Sequence, residues 1–207
     1  MKRVILGMLA IGLFCSFGMI RSKKDKTTSN IIRTLNNTTE ERISEQVASI
    51  KELVKMNPKY NNEIAFLLDM HIMSGKNRFF VYDLKNDRVI DQGLVAHGIG
   101  SGLGMSGELK FSNEDYSYCT SLGKYYIGKS YKGQYGKSYR LHGFEETNSN
   151  AFSRSIVLHK YEKVPYEEQN TIICNSLGCP MVNETYYKRI EKIIDTSKNN
   201  IILDIYY

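Results

Sequence analysis

The 207-residue chain has no tryptophan and only three prolines. Chains that stay disordered are usually rich in proline and poor in apolar residues. Here 42% of residues are hydrophobic and 24% are charged, which excludes disorder throughout. The same balance excludes a multi-span membrane protein. No internal repeat and no nucleic-acid motif occurs, so neither a repeat array nor a reader of DNA or RNA is indicated. Cysteine and histidine are scarce, at four each, whereas tyrosine and glycine are plentiful, at 15 and 16. The length allows one domain with extensions, or at most two small domains.

Acidic residues are almost missing from the start of the chain. The net charge is +6 and the pI is near 9.0. Residues 1–35 hold seven bases (Lys2, Arg3, Arg21, Lys23, Lys24, Lys26 and Arg33) and one acid, Asp25. The remainder carries 21 bases and 21 acids and is neutral. The excess charge therefore belongs to the N-terminus and not to the domain that follows.

Lys2 and Arg3 precede an uncharged run from Val4 to Ile20, a pattern that predicts an export signal over residues 1–20. At 17 residues the run is short for a bilayer crossing, which takes about 20. Cleavage near Gly18, retention as a signal anchor and lipidation of Cys15 are the three readings. Residues 21–37 read as a basic, flexible tether that would hold the chain near an anionic membrane face. The expected location is the periplasm or cell envelope.

Residues 38–74 read as a helical segment. Thr38 and Glu41 form a capping-box pattern, followed by Ile43, Val47, Ile50 and Val54 at helical spacing. A second helix is expected from Lys59 to Asp69, carrying Ile64, Phe66, Leu67 and Leu68. Residues 75–207 are β-dominated. A hairpin is expected over Arg78–Leu84 and Arg88–His97, and further strands over Lys124–Ile127, Lys137–Leu141, Ser155–His159, Thr171–Cys174 and Asn200–Tyr207. Gly98–Ser121 reads as a long ordered loop of functional importance, and Asn183 as the cap of a helix. The order of elements is mainly β with added helices (α+β), not a βαβ series.

Cys179 lies in a glycine-lined turn, Asn175-Ser176-Leu177-Gly178-Cys179-Pro180, and His159 ends a strand 20 residues earlier. A strand end beside such a turn can bring an imidazole to a thiol and make a thiolate nucleophile. From spacing alone, Cys179 is a nucleophile, a disulfide partner or a small core residue. Cys119 and Cys174 either pair with each other or stay reduced in the core. A zinc site from Cys174, Cys179 and His159 lacks a convincing fourth ligand. Tyr125, Tyr126, Tyr131, Tyr135 and Tyr139 cluster near the expected cleft, where most should simply fill sheet edges.

Several segments in order resemble the murein L,D-transpeptidase catalytic domain family, the YkuD-like group, in its Gly-Cys-Pro branch. They are Val95–Gly102, Phe111–Asn113, Ser121–Tyr126, Tyr131–Glu145, Asn148–His159, Ser176–Pro180 and Ile205–Tyr207. The likeness spans roughly Ile64 to Tyr207. It implies a mixed β-sandwich with the N-terminal helices packed on it, and it requires neither metal nor cofactor.

The resemblance implies Cys179 as nucleophile and His159 as its base. Backbone N–H groups of Gly178 and Cys179 would hold the oxyanion. The Lys160 carbonyl and Ser176 would orient the site. The implied partner is a peptidoglycan stem tetrapeptide, cut between the diamino acid and D-Ala. An amine acceptor would give transpeptidation and water would give L,D-carboxypeptidase activity. A non-catalytic cell-wall binding protein on the same fold is the rival.

Two departures stand out. Lys160 replaces the glycine that commonly follows the catalytic histidine, and Met181 replaces a common Arg or Asn. Arg140 and Arg154 match arginines of the branch and would bind substrate carboxylates or pair with Glu145 or Glu146. His97 would line the cleft or hold its loop. His142 and His71 read as structural or surface residues.

Overall fold

Helix α1 (Thr39–Met56) begins where the capping-box pattern places it: the Thr38 side chain accepts from the Glu41 N–H, and the Glu41 carboxylate accepts from the Thr38 N–H. Ile43, Val47, Ile50 and Val54 form its buried face. The computed structural model describes residues 38–102 and 108–207, which form one compact unit from Thr38 to Tyr207. The expected signal, the tether and residues 103–107 of the long loop lie outside the described residues.

Among the described residues nine strands follow: β1 (Tyr60–Asp69), β2 (Phe79–Asp83), β3 (Arg88–Gly93), β4 (Val95–Ala96), β5 (Gly123–Gly133), β6 (Gly136–Gly143), β7 (Val157–Lys160), β8 (Met181–Val182) and β9 (Asn200–Tyr206). Helix α2 (Glu184–Thr196) lies between β8 and β9, its Thr185 N–H capped by the Asn183 side chain. The strand order is β3-β2-β1-β9-β5-β6-β7-β8-β4. The β1–β9 and β7–β8 pairs are parallel and the others antiparallel, so the sheet is mixed.

Lys59–Asp69 is not the expected second helix; it is strand β1. The reason lies in its continuous apolar run. Ala65 and Leu67 pack beneath α1, while Phe66 and Leu68 face the opposite core. A central strand buried on both faces loses the alternation that marks a half-buried one, and a short apolar run then reads equally well as helix. Strand β9 is buried on both faces in the same way, with Ile202 and Tyr206 on the α1 side and Ile201, Leu203 and Ile205 on the other. The short strand expected at Thr171–Cys174 is also absent; that segment runs without a ladder partner until Ser176 bridges Gly98.

β3 and β4 stand at opposite ends of the strand order, yet only Leu94 separates them in the chain. The sheet must therefore curl until its ends nearly meet. Inside the curl, residues of β1, β2, β4 to β9 and α2 share one core. Tyr186 of α2 sits at its centre, 1% exposed, with its hydroxyl donating to the Phe79 carbonyl at 3.1 Å. A side chain at Gly93 would lie only 2.6 Å from the Tyr186 ring, so that close approach of strand to helix needs glycine. The mainly β, α+β architecture expected from the sequence takes this form, with one N-terminal helix packed on the outer face rather than two.

One buried charge tests the α1 side of β9, where Asp204 lies between Ile202 and Tyr206. Asp204 of β9 is 1% exposed and lies opposite Lys124 of β5, with Oδ2 3.2 Å from Nζ. Burial pushes its carboxyl up to about 6, against the pull of Lys124. A raised carboxyl keeps its proton longer in the folded than in the unfolded state, so stability falls as pH rises between the two values. Relative to Asp204→Asn, the wild type should lose stability between about pH 4 and pH 6, by up to roughly 3 kcal/mol, and change little above that. Urea denaturation across this range measures it, and a pH-independent difference would refute it.

Candidate active site

β7 and β8 run side by side, pairing His159 with Met181 and Lys160 with Val182. The Asn175–Pro180 turn feeds directly into β8, which brings Cys179 to the end of the strand that carries His159. The turn is fastened to the rest of the sheet at Ser176. Its N–H donates to the His97 carbonyl at 2.8 Å, its carbonyl accepts from Ile99 N–H at 2.8 Å, and its Oγ accepts from Gly178 N–H at 3.0 Å. Gly178 has φ +122, and a Cβ there would meet Ile156 Cδ1 at 3.0 Å and the Cys119 carbonyl at 3.1 Å. Both backbone conformation and space therefore demand glycine before the cysteine.

The Cys179 sulfur is held by the entry to β7. It accepts from Val157 N–H at 3.4 Å, and its S–H points to the Ser155 carbonyl at 3.7 Å. Ser155 has φ +58, a left-handed backbone that a serine adopts at a cost and that precedes the start of β7. His159 Nδ1 lies 2.9 Å from the Lys160 carbonyl. A carbonyl can only accept, so Nδ1 carries the proton and Nε2 is left as the basic nitrogen. Loss of the glycine after the histidine thus leaves the imidazole contact intact, because the contact is to backbone.

Cys179, His159, Ser176, Asn175, Leu177 and Tyr135 are among the walls of one open cavity of about 360 Å3. Burial pushes the Cys179 thiol above its ordinary value, partly offset by the Val157 N–H and by Arg154. Burial also holds His159 below the usual imidazole range, opposed by its bond to Lys160. Both shifts favour the uncharged forms, so at neutral pH the pair rests as thiol and imidazole rather than as an ion pair.

The other predicted residues fall in different places. Gly178 N–H is committed to Ser176 Oγ. Of the two expected oxyanion donors, Cys179 N–H is the one without a protein partner among the described residues. His97 does not line the cavity. It is 2% exposed, with Nδ1 2.8 Å from Arg78 Nη2 and Nε2 2.9 Å from the Gly102 carbonyl. Burial and the Arg78 charge hold it down at about 4, so it is a neutral prop beneath the loop.

Arg154 pairs with neither Glu145 nor Glu146. Its guanidinium donates to the carbonyls of Ser112 (2.9 Å) and Cys119 (2.8 Å) and to the hydroxyls of Ser121 and Ser117. It ties the long loop down behind the Cys179 turn, and it borders a second cavity of about 330 Å3 with Tyr116 and Tyr118. Leu177 lines both cavities. Arg140 lies over the rings of Tyr131 (4.7 Å) and Phe152 (5.3 Å) and not among the residues lining the Cys179 cavity. His142 is stacked between Tyr126 and Phe152, and His71 stacks on Tyr207.

Cys119, Cys174 and Cys179 are all free thiols. Among the described residues no group of His, Cys, Asp and Glu side chains is arranged to hold a metal ion. No described helix is long and apolar enough to cross a membrane.

Sequence reading placed Tyr135 near the cleft but gave it no partner there. The structure stacks its ring on His159, with centroids 4.6 Å apart and planes 16° from parallel. The two glycines flanking Gln134-Tyr135 were the available signal, since they mark a tight hairpin tip. Where that tip points is a property of the folded sheet.

Comparison with known proteins bears on what this arrangement is. Residues 35–206 match a family model described as the L,D-transpeptidase catalytic domain, YkuD_2. Among solved structures, the chain resembles the helical cell shape determining protein Pgp2 from Campylobacter jejuni (12% identity, TM-score 0.44, covering 70% of this chain and 47% of that one). It also resembles an L,D-transpeptidase from Xylanimonas cellulosilytica (12%, TM-score 0.38, covering 70% and 61%). A third is Bd1075 from Bdellovibrio bacteriovorus (16%, TM-score 0.43, covering 70% and 48%). The chain thus spans between 47% and 61% of the length of these structures. No curated protein matches it. The family model covers most of the chain, including the Cys179 turn, strand β7 and the final strand, and on that basis the protein belongs to the L,D-transpeptidase catalytic domain family.

Proposed function

We propose that this protein is an exported, cysteine-dependent L,D-transpeptidase acting on peptidoglycan stem tetrapeptides through a thioacyl-enzyme. The observation that carries the reading is one open cavity lined by both the Cys179 thiol and an imidazole whose Nδ1 is pinned to a carbonyl. Membership of the family supplies the substrate class.

In this reading His159 Nε2 takes the thiol proton as sulfur attacks the carbonyl carbon of the third stem residue. The Val157 N–H already on sulfur favours the developing thiolate. Cys179 N–H faces the negative oxygen of the tetrahedral intermediate. When the C–N bond breaks, the imidazolium returns its proton to the amine of departing D-Ala, leaving a thioester. An acceptor amine then attacks that carbon and gives its proton to His159. The C–S bond breaks, and the proton passes back to sulfur. Water in place of the amine would make the enzyme an L,D-carboxypeptidase. The basic, apolar N-terminus supports an export route to the periplasm or envelope.

Purified muropeptides incubated with the wild type should lose D-Ala and yield three-to-three dimers, and Cys179→Ala should yield neither. His159→Gln should slow acylation by about 10²- to 10⁴-fold. Absence of product with the wild type, together with retained binding to cell walls, would favour a non-catalytic wall-binding protein instead.

The neutral resting pair predicts a second result. Alkylation of Cys179 by iodoacetamide, followed residue by residue with mass spectrometry, should climb with pH only in the free-thiol range or above. A plateau already reached at neutral pH would mean a preformed thiolate–imidazolium pair and would contradict the assignment.

A further inference from the structure

Tyr135 occupies the tip of the β5–β6 hairpin, where Gly133 pairs with Gly136 and leaves Gln134-Tyr135 as the turn. Gly136 takes φ +86, the left-handed conformation that closes such a tip without strain. The tip carries the Tyr135 ring across to β7, where it lies nearly parallel on the His159 ring at 4.6 Å. Tyr161, two residues beyond His159, meets Tyr135 edge-on at 5.5 Å and 79° and supports that placement. His159 is 4% exposed and Tyr135 is 42% exposed, so the tyrosine is the layer between the imidazole and water on this side. Both rings line the cavity that holds Cys179.

We propose that Tyr135 is a positioning residue for His159, fixing the plane of the imidazole and favouring its charged form through the face of the aromatic ring. The imidazole is held at two places, by the Lys160 carbonyl at Nδ1 and by Tyr135 on its face. The first contact sets the tautomer and the second resists rotation of the ring about the axis the first leaves free. When His159 takes the thiol proton, the new cation lies against an aromatic face, where cations are attracted by the ring quadrupole. Burial alone would oppose that protonation, and the stack offsets part of the opposition. The ring acts by its π face and not by its hydroxyl.

This inference rests on the reading of His159 as the base for Cys179, and the experiment separates the two. In the full chain, Tyr135→Phe keeps the face, and Tyr135→Leu keeps the bulk and cover but removes the face. The imidazole of His159 is titrated by NMR through its Cε1–H resonance, assigned with His159→Gln, and kcat and KM are measured on a tetrapeptide substrate. Thermal melting confirms that both variants are folded.

Tyr135→Phe should match the wild type within about twofold. Tyr135→Leu should lower the His159 pKa by about half a unit or more, and it should reduce kcat by about five- to tenfold with KM within twofold. An unchanged pKa and kcat in Tyr135→Leu would overturn the proposal. Equal impairment of Tyr135→Phe would do so too, since the hydroxyl would then be the acting group. A change in KM alone would make Tyr135 a wall for substrate and would also overturn it. A lowered pKa in Tyr135→Leu with no turnover of tetrapeptide by any form, wild type included, would uphold the stack and sink the proposed substrate.

Discussion

A buried guanidinium fixes the floor of the site. Arg78 is 1% exposed, and its hydrogen bonds run to the carbonyls of Val95 and Ile72 and to the His97 ring. His97 passes the constraint on, because its ring holds the Gly102 carbonyl and its own carbonyl receives the Ser176 N–H. Ser176 in turn holds Gly178 beside Cys179. A chain of polar contacts thus leads from the start of β2 to the turn that carries Cys179, and each link is buried where an unmade hydrogen bond is expensive. Desolvation lowers Arg78 to about 9, still above neutral, so the anchor remains a cation and cannot donate less than it does.

The outer side of the turn has a second anchor. Arg154 spends its guanidinium on carbonyls and hydroxyls of the segment 112–121 and sits near enough to Cys179 to favour a thiolate without contacting it. Two arginines therefore anchor the surroundings of one cysteine, Arg78 through His97 and Arg154 through the segment 112–121, and among the described residues neither forms an ion pair with a carboxylate. The raised Cys179 value favours the neutral thiol, and a thiol resists adventitious oxidation better than a standing thiolate.

Much of this was legible in the sequence where the signal is local. The α1 cap, its buried face, the β5–β6 hairpin and the Asn183 cap follow from spacing and turn chemistry over a few residues. That Cys179 and His159 come to one cavity was legible because a glycine turn and a strand end each leave a mark in the chain. Lys59–Asp69 was not, since burial on both faces erased its alternation. The partners of Arg154 and the depth of His97 were not legible either. Both depend on where the long loop folds back, and an arginine bonded to carbonyls looks in sequence like one bonded to a carboxylate. The Gly178 N–H was misjudged for a similar reason: the hydroxyl that occupies it is two residues away and reads as a prop for the turn, not as a competitor for its donor.

The last strand of the chain is not at the margin of the sheet. β9 lies between β1 and β5 and is buried on both faces, so it joins the half built from residues 60–93 to the half built from residues 123–182 and the short strand β4. Those halves have no shared ladder without it. A chain emerging from its N-terminus can form α1 and its hairpins early, but the sheet stays in two pieces until residues 200–206 arrive. Such long-range closure is slow compared with local folding. For a protein exported as proposed, this order of assembly would delay folding during synthesis and complete it on the far side of the membrane.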